Sequence, residues 1–247
     1  MRIRALRPLA QADLSNNVVH FTERWGTENP QVPQRIRDLD ARERLGSIML
    51  QRRIHAFETF FTYGVPVVCF TEATREGMYA LINGTTKRYV SWGIGFSKDF
   101  ILQNGGGPAY YVRGDMWADF VASNLPDTIK ALGTMFWPGV DLAPGENAPV
   151  TWMKKNEWAH EREWRVPFSG EGAGLAFQYR DVSTVVAPST RAWLGLVKEI
   201  GAERDLAHVV VIDIPGPEKP RQAGSTPSEE DPYGDPDVRR LIGLDDD

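Results

Sequence analysis

Three consecutive runs decide the fold class: DVSTVVAP (181–188), TRAWLGLVKEIG (190–201) and AHVVVIDI (207–214). The first and last runs are rich in Val and Ile, which favours strands. The middle run is predicted to be a helix that ends at Gly201. This order is typical of a β-α-β unit, in which a helix connects two strands of one sheet.

Upstream of this unit, short β-prone runs alternate with helical ones, so the pattern extends over most of the chain. The predicted strands are VVHFT (18–22), PVVCFTEA (66–73), YVSWGIGF (89–96), AYYVRG (109–114) and EREWRVPF (161–168). The predicted helices are 35–60, 75–83 after a cap at Thr71 or Thr74, 98–105 after a cap at Ser97, and 115–137 with a break near Pro126. The predicted fold is α+β, with a single mixed or antiparallel sheet flanked by helices.

The chain of 247 residues is long enough to bury a sizeable core without disulfides or a metal. Its 42% hydrophobic and 25% charged residues are ordinary for a globular domain. We therefore predict one domain over residues 1–214. Residues 215–247 are rich in Pro, Gly and acidic residues, which predicts a flexible C-terminal tail.

The overall charge narrows the classes of function. A net charge of −5 argues against a broad phosphate-binding surface. The Arg-rich stretch 35–53 also contains acidic residues, so we favour a solvated helix face over a nucleic-acid contact.

Cys69 is the only cysteine, which excludes an intramolecular disulfide and a Cys-rich zinc site. No apolar run is long enough to span a membrane and no signal peptide is evident, which predicts a cytoplasmic location.

Polar side chains that are suited to chemistry lie in four strand-associated segments. Thr22 is expected on the same strand face as His20, because side chains alternate along a strand. Glycines within the third segment suggest that another backbone or a ligand comes close. The four segments are His20 with Thr22; Thr71 and Glu72 with Arg75; Trp92 to Ser97, including Phe96; and Glu161, Glu163 and Arg165.

The fourth segment is the most informative, because two carboxylates and an arginine share one face of a strand at a spacing of two. One interpretation is structural: Glu163 and Arg165 pair with opposite charges across the sheet. The other is functional, because a carboxylate buried in a cleft is costly and such placement usually reflects a role in chemistry.

The order of the motifs resembles that of the AbiGi family of abortive-infection (phage-resistance) proteins. The resemblance rests on VVHFT, VVCFTEA (67–73), WGIGFSKDFILQNGGGPAYYV (92–112) and EREWRVP (161–167). A looser likeness is to the DUF2971 family, whose members pair a CF-S/T-E segment with a late E-x-E-W/Y-R segment. The resemblance implies a setting in bacterial antiviral defence. The AbiGi family carries an antitoxin label, which implies a toxin or another defence-system protein as partner.

A second resemblance implies a chemistry. ADP-ribosyltransferases place a polar residue, often His, on an early strand, an aromatic residue or Ser on a middle strand, and a Glu on a late strand. Here His20, the strand from Trp92 to Ser97, and Glu161–Glu163 follow that order. The likeness implies a split sheet with NAD bound as a substrate. The middle strand departs from the family pattern, because Gly95 stands where a Tyr is usual.

Under this resemblance each residue has an implied role. Glu163 would stabilise the positive charge that develops when the nicotinamide–ribose bond breaks. Glu161 would orient or deprotonate an acceptor nucleophile on nucleic acid or protein. The remaining positions would bind NAD, with His20 and Thr22 on the adenosine-side ribose and an aromatic ring on nicotinamide. The NAD-binding residues implied in this way are His20, Thr22, Arg75, Trp92, Phe96 and Ser97.

Three hypotheses follow from the motifs. The first is an NAD-dependent ADP-ribosyltransferase or NAD glycohydrolase acting in phage defence. The second is a non-enzymatic antitoxin or regulatory protein on the same fold. The third is a metal-dependent nuclease using Glu161 and Glu163, and it is the weakest because Glu163-Trp164-Arg165 lacks the usual Lys. If His20 and Glu163 lie on opposite sides of the fold, the transferase hypothesis loses its basis.

Overall fold

A computed structural model describes residues 15–23, 31–59, 62, 64–84, 89–136, 162–170 and 173–216. Its strands are β1 (Asn17–Phe21), β2 (Arg53–His55), β3 (Val67–Thr71), β4 (Gly93–Ser97), β5 (Gly107–Pro108), β6 (Tyr110–Arg113), β7 (Gly133–Phe136), β8 (Glu163–Pro167), β9 (Gly174–Ala176), β10 (Val182–Ala187) and β11 (Val210–Asp213). Its α-helices are α1 (Gln34–Arg37), α2 (Ala41–Gln51), α3 (Arg75–Asn83), α4 (Lys98–Gln103), α5 (Trp117–Ala122), α6 (Asp127–Lys130) and α7 (Thr190–Glu199).

Seven strands form the central sheet, in the order β11-β10-β4-β1-β3-β8-β5. Neighbouring strands are antiparallel except β10 and β11, which are parallel. Two smaller pairs accompany the sheet, β2 with β9 and β6 with β7. The protein is therefore α+β, with a large mixed sheet flanked by helices, as predicted.

The sheet separates two hydrophobic cores, and each face is named here by its helices. On the α2–α7 face, strand residues such as Ile94 and Phe96 pack with Leu45 of α2 and Trp193 of α7. On the α3 face, a smaller core joins residues of β1, β10 and α3: Val19, Phe21, Val186, Met78, Leu81 and Ile82. Both faces of the central strands are thus covered.

The β-α-β unit at residues 182–213 is confirmed. Strands β10 and β11 pair in parallel, with Val185 opposite Val211. Ser189 caps α7 by accepting a hydrogen bond from the amide of Ala192 at 3.1 Å. The helix then buries Trp193 and Leu196 against the sheet.

Two further predicted helix starts are also confirmed. The Thr74 hydroxyl accepts from the amide of Gly77 at 3.3 Å, and α3 follows directly. The Ser97 hydroxyl accepts from the amide of Phe100 at 3.2 Å, and α4 follows. Side-chain caps of this kind satisfy amides that have no partner within the helix.

The prediction of one long helix over residues 35–60 was wrong. Asp40 and Glu43 form a capping box that starts α2 anew after the short α1. Arg52 then adopts a left-handed conformation with φ of 49°, which ends α2. The chain continues as β2, which pairs with β9. Local capping and sheet pairing therefore overrode the helical pattern.

The prediction of helices over the whole of 115–137 was wrong at its C-terminal end. Residues 133–136 form β7, which pairs in parallel with β6. Gly133 is required there, because a Cβ at this position would lie 2.5 Å from the Phe120 ring. Helices α5 and α6 are short and lie on either side of Pro126, close to the predicted break.

The predicted tail beyond residue 216 lies outside the described residues, as does Glu161. Within the described ranges, no helix is long and apolar enough to cross a membrane.

Candidate functional site

Glu163 and Arg165, two residues apart on β8, form a buried ion pair. The guanidinium donates from Nε to one carboxylate oxygen and from Nη2 to the other, both at 2.9 Å. Glu163 is 8% exposed and Arg165 is 3% exposed. Both carboxylate oxygens are therefore engaged by Arg165 in a geometry that favours strong binding.

Arg165 also holds a neighbouring part of the chain. Its Nη1 donates to the carbonyl of Ala131, at the end of α6, and to the carbonyl of Gly133 in β7. The guanidinium thus ties β8 to the β6–β7 pair. These contacts give Arg165 a structural role.

The backbone of Glu163 forms hydrogen bonds with residues at and just before the start of β6. Its amide donates to the Tyr111 hydroxyl at 3.4 Å, and its carbonyl accepts from the Ala109 amide at 2.8 Å. Residues 109–111 therefore pack against the start of β8.

His20 is anchored at its own position on β1. Its Nδ1 lies 2.8 Å from the Cys69 carbonyl. Because a carbonyl only accepts, Nδ1 is the donor in this hydrogen bond. The ring also meets Phe70 edge-on, with 5.8 Å between centroids.

The strand register places His20 and Glu163 on opposite faces of the sheet. His20 pairs with Ile94, which lies in the α2–α7 core. Glu163 pairs with Thr71, and Thr71 pairs with Val19, which lies in the α3 core. Paired residues share a face and successive residues alternate. The structure therefore does not bring these two predicted site residues together.

The aromatic residues predicted to stack on nicotinamide belong to the core. Trp92 and Phe96 both lie in the cluster on the α2–α7 face. Phe96 has no exposed surface and contacts the rings of Phe70, Phe100 and Phe177. Neither ring presents an open face to a ligand.

Thr22 and Ser97 lie at opposite ends of the β1–β4 pair, because Thr22 bonds to Trp92 whereas Ser97 is paired with Asn17. The Thr22 hydroxyl is buried between the carbonyls of Ala41, at 2.7 Å, and Trp92. Ser97 caps α4. Arg75 is the exposed first residue of α3 and lines a shallow groove with Glu76, Tyr79 and Ile214.

The glycines of β4 have a packing explanation. A Cβ at Gly95 would lie 2.3 Å from Cγ2 of Thr184 on β10. A Cβ at Gly93 would lie 2.9 Å from Cγ1 of Val19 and 3.0 Å from the backbone oxygen of His20, both on β1. The predicted close approach of another backbone is thus found at Gly93, and side chains of the neighbouring strands fill the rest of the space.

Sequence reasoning missed a second charged cluster. Glu72 follows β3 and accepts from the Trp164 indole at 2.8 Å, while its other oxygen pairs with Lys98 Nζ at 2.7 Å. The Lys98 ammonium also lies 5.4 Å from the Trp164 ring centroid. The cluster links three elements at one end of the sheet. The sequence analysis had singled out Glu72 but not its partners, and the signal for Lys98 was that it directly follows a strand.

The Arg-rich stretch 35–53 consists largely of structural contacts. Arg44 donates to the carbonyls of Ile36 and Arg37, and Arg42 pairs with Glu199 of α7. Burial lowers the pKa of His55 below its usual value, and the charges of Arg53 and Arg35 lower that pKa further. Arg35 and Arg53 therefore place positive charge close to His55 of β2.

The described residues contain no group of three or more His, Cys, Asp or Glu side chains arranged to hold a metal ion. Glu163, the described residue of the proposed nuclease pair, is instead occupied by Arg165.

Comparison with protein-family models, with curated proteins and with solved structures found no match to this chain. The likeness to the AbiGi and DUF2971 families therefore stays a prediction from the motifs. The class of protein is therefore defined by the structure alone. It is an α+β protein with a mixed seven-stranded sheet, in which the Glu163–Arg165 pair of β8 is buried.

Proposed function

We propose that this chain is a non-catalytic regulatory protein of a bacterial phage-defence system and acts by binding a partner protein. The defence setting comes from the motif resemblance. The absence of catalysis is supported chiefly by one observation: Glu163 lies on the sheet face opposite to His20, with both carboxylate oxygens held by Arg165.

The chemistry of NAD cleavage explains why this observation matters. A transferase of the predicted kind needs a carboxylate beside the ribose, so that it stabilises the oxocarbenium-like centre. Glu163 would have to exchange Arg165 for the substrate. Removing one partner of a buried ion pair typically costs about 3–5 kcal/mol. Binding of a ribose hydroxyl does not readily offset a cost of this size.

The other residues predicted to bind NAD give little support to the ADP-ribosyltransferase hypothesis. Trp92 and Phe96 are core residues, and Thr22 and Ser97 bond to backbone groups. The seven strands are hydrogen-bonded in one continuous order, which adds no support for a split sheet around a nucleotide. The ADP-ribosyltransferase hypothesis thus rests on motif order alone.

An NAD-turnover assay tests the proposal. Purified full-length protein is incubated with radiolabelled NAD, alone and with DNA, RNA or bacterial lysate as acceptor. We expect neither release of nicotinamide nor transfer of label. Glu163→Gln serves as the site variant, and Glu203→Gln, at an exposed position of the loop after α7, serves as the matched control.

Turnover by the wild type and Glu203→Gln that Glu163→Gln abolishes, with all three proteins equally folded, would overturn the proposal. The defence setting is tested separately by plaque counts on a host strain with and without the gene. We expect deletion to change phage plating efficiency and Glu163→Gln to leave it unchanged, provided that the variant remains folded.

A further inference from the structure

We infer that residues 110–136, named here the β6–β7 lobe, form the docking surface for a partner segment with apolar anchors flanked by Lys or Arg. The lobe comprises β6, a 3₁₀ turn, α5, α6 and β7. This inference rests on the proposed function, because it names the surface through which a regulatory protein would bind its partner.

The lobe concentrates exposed apolar side chains. Nine large hydrophobic residues are exposed in the described part of the chain, and five of them lie in this short segment. Scattered exposed apolar residues are normal, whereas a local concentration marks an interaction site. The five are Tyr110, Tyr111, Met116, Leu125 and Ile129, with exposed fractions between 37% and 55%.

The register of the lobe shows where Tyr110 lies relative to α6. Tyr110 pairs with Gly133 across the two strands, and its amide donates to the Leu132 carbonyl. A Cβ added at Gly133 would overlap the Phe120 ring and would lie 3.0 Å from the carbonyl oxygen of Lys130. Tyr110 therefore lies beside the end of α6. Leu125 lies in the bend directly before Pro126 and α6.

Strand β6 is unusual in exposing consecutive side chains on both of its faces. Tyr110 and Tyr111 are both exposed, whereas a strand packed on a core normally buries one face. Tyrosine is enriched at interface centres, because it combines a large apolar ring with a hydroxyl.

The lobe has a firm attachment to the sheet. The buried guanidinium of Arg165 donates to two of its carbonyls, and the Glu163 amide donates to the Tyr111 hydroxyl. A surface held in place in this way loses less conformational entropy on binding than a free loop does.

The charges on the lobe indicate the chemistry of the partner. Asp119 and Asp127 are exposed, and neither has an ion-pair partner in the described structure. Arg113 is neutralised by Asp115, which leaves the half-buried Lys130 as the remaining cation of the lobe. The surface is therefore apolar with an acidic margin, and complementary charges on a partner would steer binding and set its register.

Two synthetic peptides test the inference on the full-length protein. Both carry the same Leu and Phe anchors at helical spacing, and one has Lys flanks where the other has Glu flanks. We expect the Lys-flanked peptide to bind in a fluorescence anisotropy titration and to bind more weakly at higher salt. Tyr110→Ala and Ile129→Ser should each weaken binding about 10-fold, as expected for anchor residues.

Leu194→Ser is the matched control, because Leu194 is also an exposed apolar residue but lies on α7, outside the lobe. Equal binding of both peptides, or loss of binding in Leu194→Ser but not in the lobe variants, would overturn the inference. A concentration-dependent dimer that Tyr110→Ala dissociates would instead make the lobe a self-association surface and would also overturn it. None of these outcomes depends on NAD turnover, so failure here is distinguishable from failure of the proposed function.

Discussion

Glu163 and Arg165 show how far a single strand can be interpreted from its sequence. The spacing of two correctly placed both side chains on one face of β8. The pair forms along the strand, however, and not across the sheet as the structural interpretation had it. The carbonyls that complete the bonding of Arg165 come from residues 131 and 133, in a segment predicted to be helical. Sequence reasoning did not identify these two carbonyls as partners of Arg165, because the contact depends on packing between distant parts of the chain.

Replacement of Arg165 by Met tests the structural role of the pair. The change leaves the Glu163 carboxylate buried without its partner, so we expect a loss of about 3–5 kcal/mol in the free energy of unfolding. Glu163→Gln keeps one hydrogen-bond acceptor but leaves the buried Arg165 charge without a counter-ion, so we expect a loss near the lower end of the same range, about 3 kcal/mol. Urea denaturation measures both values.

The double variant Glu163→Leu with Arg165→Met provides the internal control. It removes the unpaired carboxylate and should recover part of the loss, although two lobe carbonyls stay unbonded. A loss below about 1 kcal/mol in Arg165→Met would contradict the structural role assigned to this residue.

At the level of elements, the starts of α3, α4 and α7 were predictable from the sequence. Strands β2, β7 and β9 were not. Thr74, Ser97 and Ser189 each act within three residues of their own position, so local sequence suffices. Strands β2, β7 and β9 have three or four residues each and lack the run of β-branched or aromatic residues that marked the equally short β6 and β11. Their existence depends on partners that are distant in the sequence.

The glycine at position 95 offers a test of strand packing. Gly95→Ala places a methyl group against Cγ2 of Thr184, so we expect overpacking to cost about 1–3 kcal/mol of unfolding free energy. Thr184→Ser removes that methyl group but keeps the hydroxyl that donates to the Val210 carbonyl at 2.8 Å. Thermal and urea unfolding of the double variant should show partial rescue.

Gly195→Ala is the control for this prediction. A Cβ at Gly195 meets nothing within 4 Å, and the residue lies inside α7. Alanine there should be neutral or should stabilise the protein by up to about 1 kcal/mol. Equal destabilisation by both substitutions would show that Thr184 is not the cause.

At the scale of the whole molecule, the sequence did not reveal which residues of different strands lie on the same face of the sheet. The alternation within β1 and within β8 was readable from the residues. Whether His20 and Glu163 share a face depends on the register of β1 with β3 and of β3 with β8, and a shift of one residue reverses the answer. The candidate site predicted from motif order therefore divided between the two faces.

The strand order also determines where this protein is vulnerable to aggregation. The β5 edge is only two residues long and includes Pro108, which has no amide hydrogen to donate. The β11 edge is longer and carries Val210, which is 63% exposed. In the sheet that the described residues form, β11 is therefore the edge on which another chain is able to add a strand.

Val210→Lys should therefore lower light scattering of concentrated protein without lowering its melting temperature, because charged residues on edge strands oppose strand addition. Leu194→Lys adds the same charge at an exposed position on α7 and separates edge protection from a general gain in solubility. If both variants reduce scattering equally, the β11 edge is not the route, and unwanted assembly of this sheet begins elsewhere on its surface.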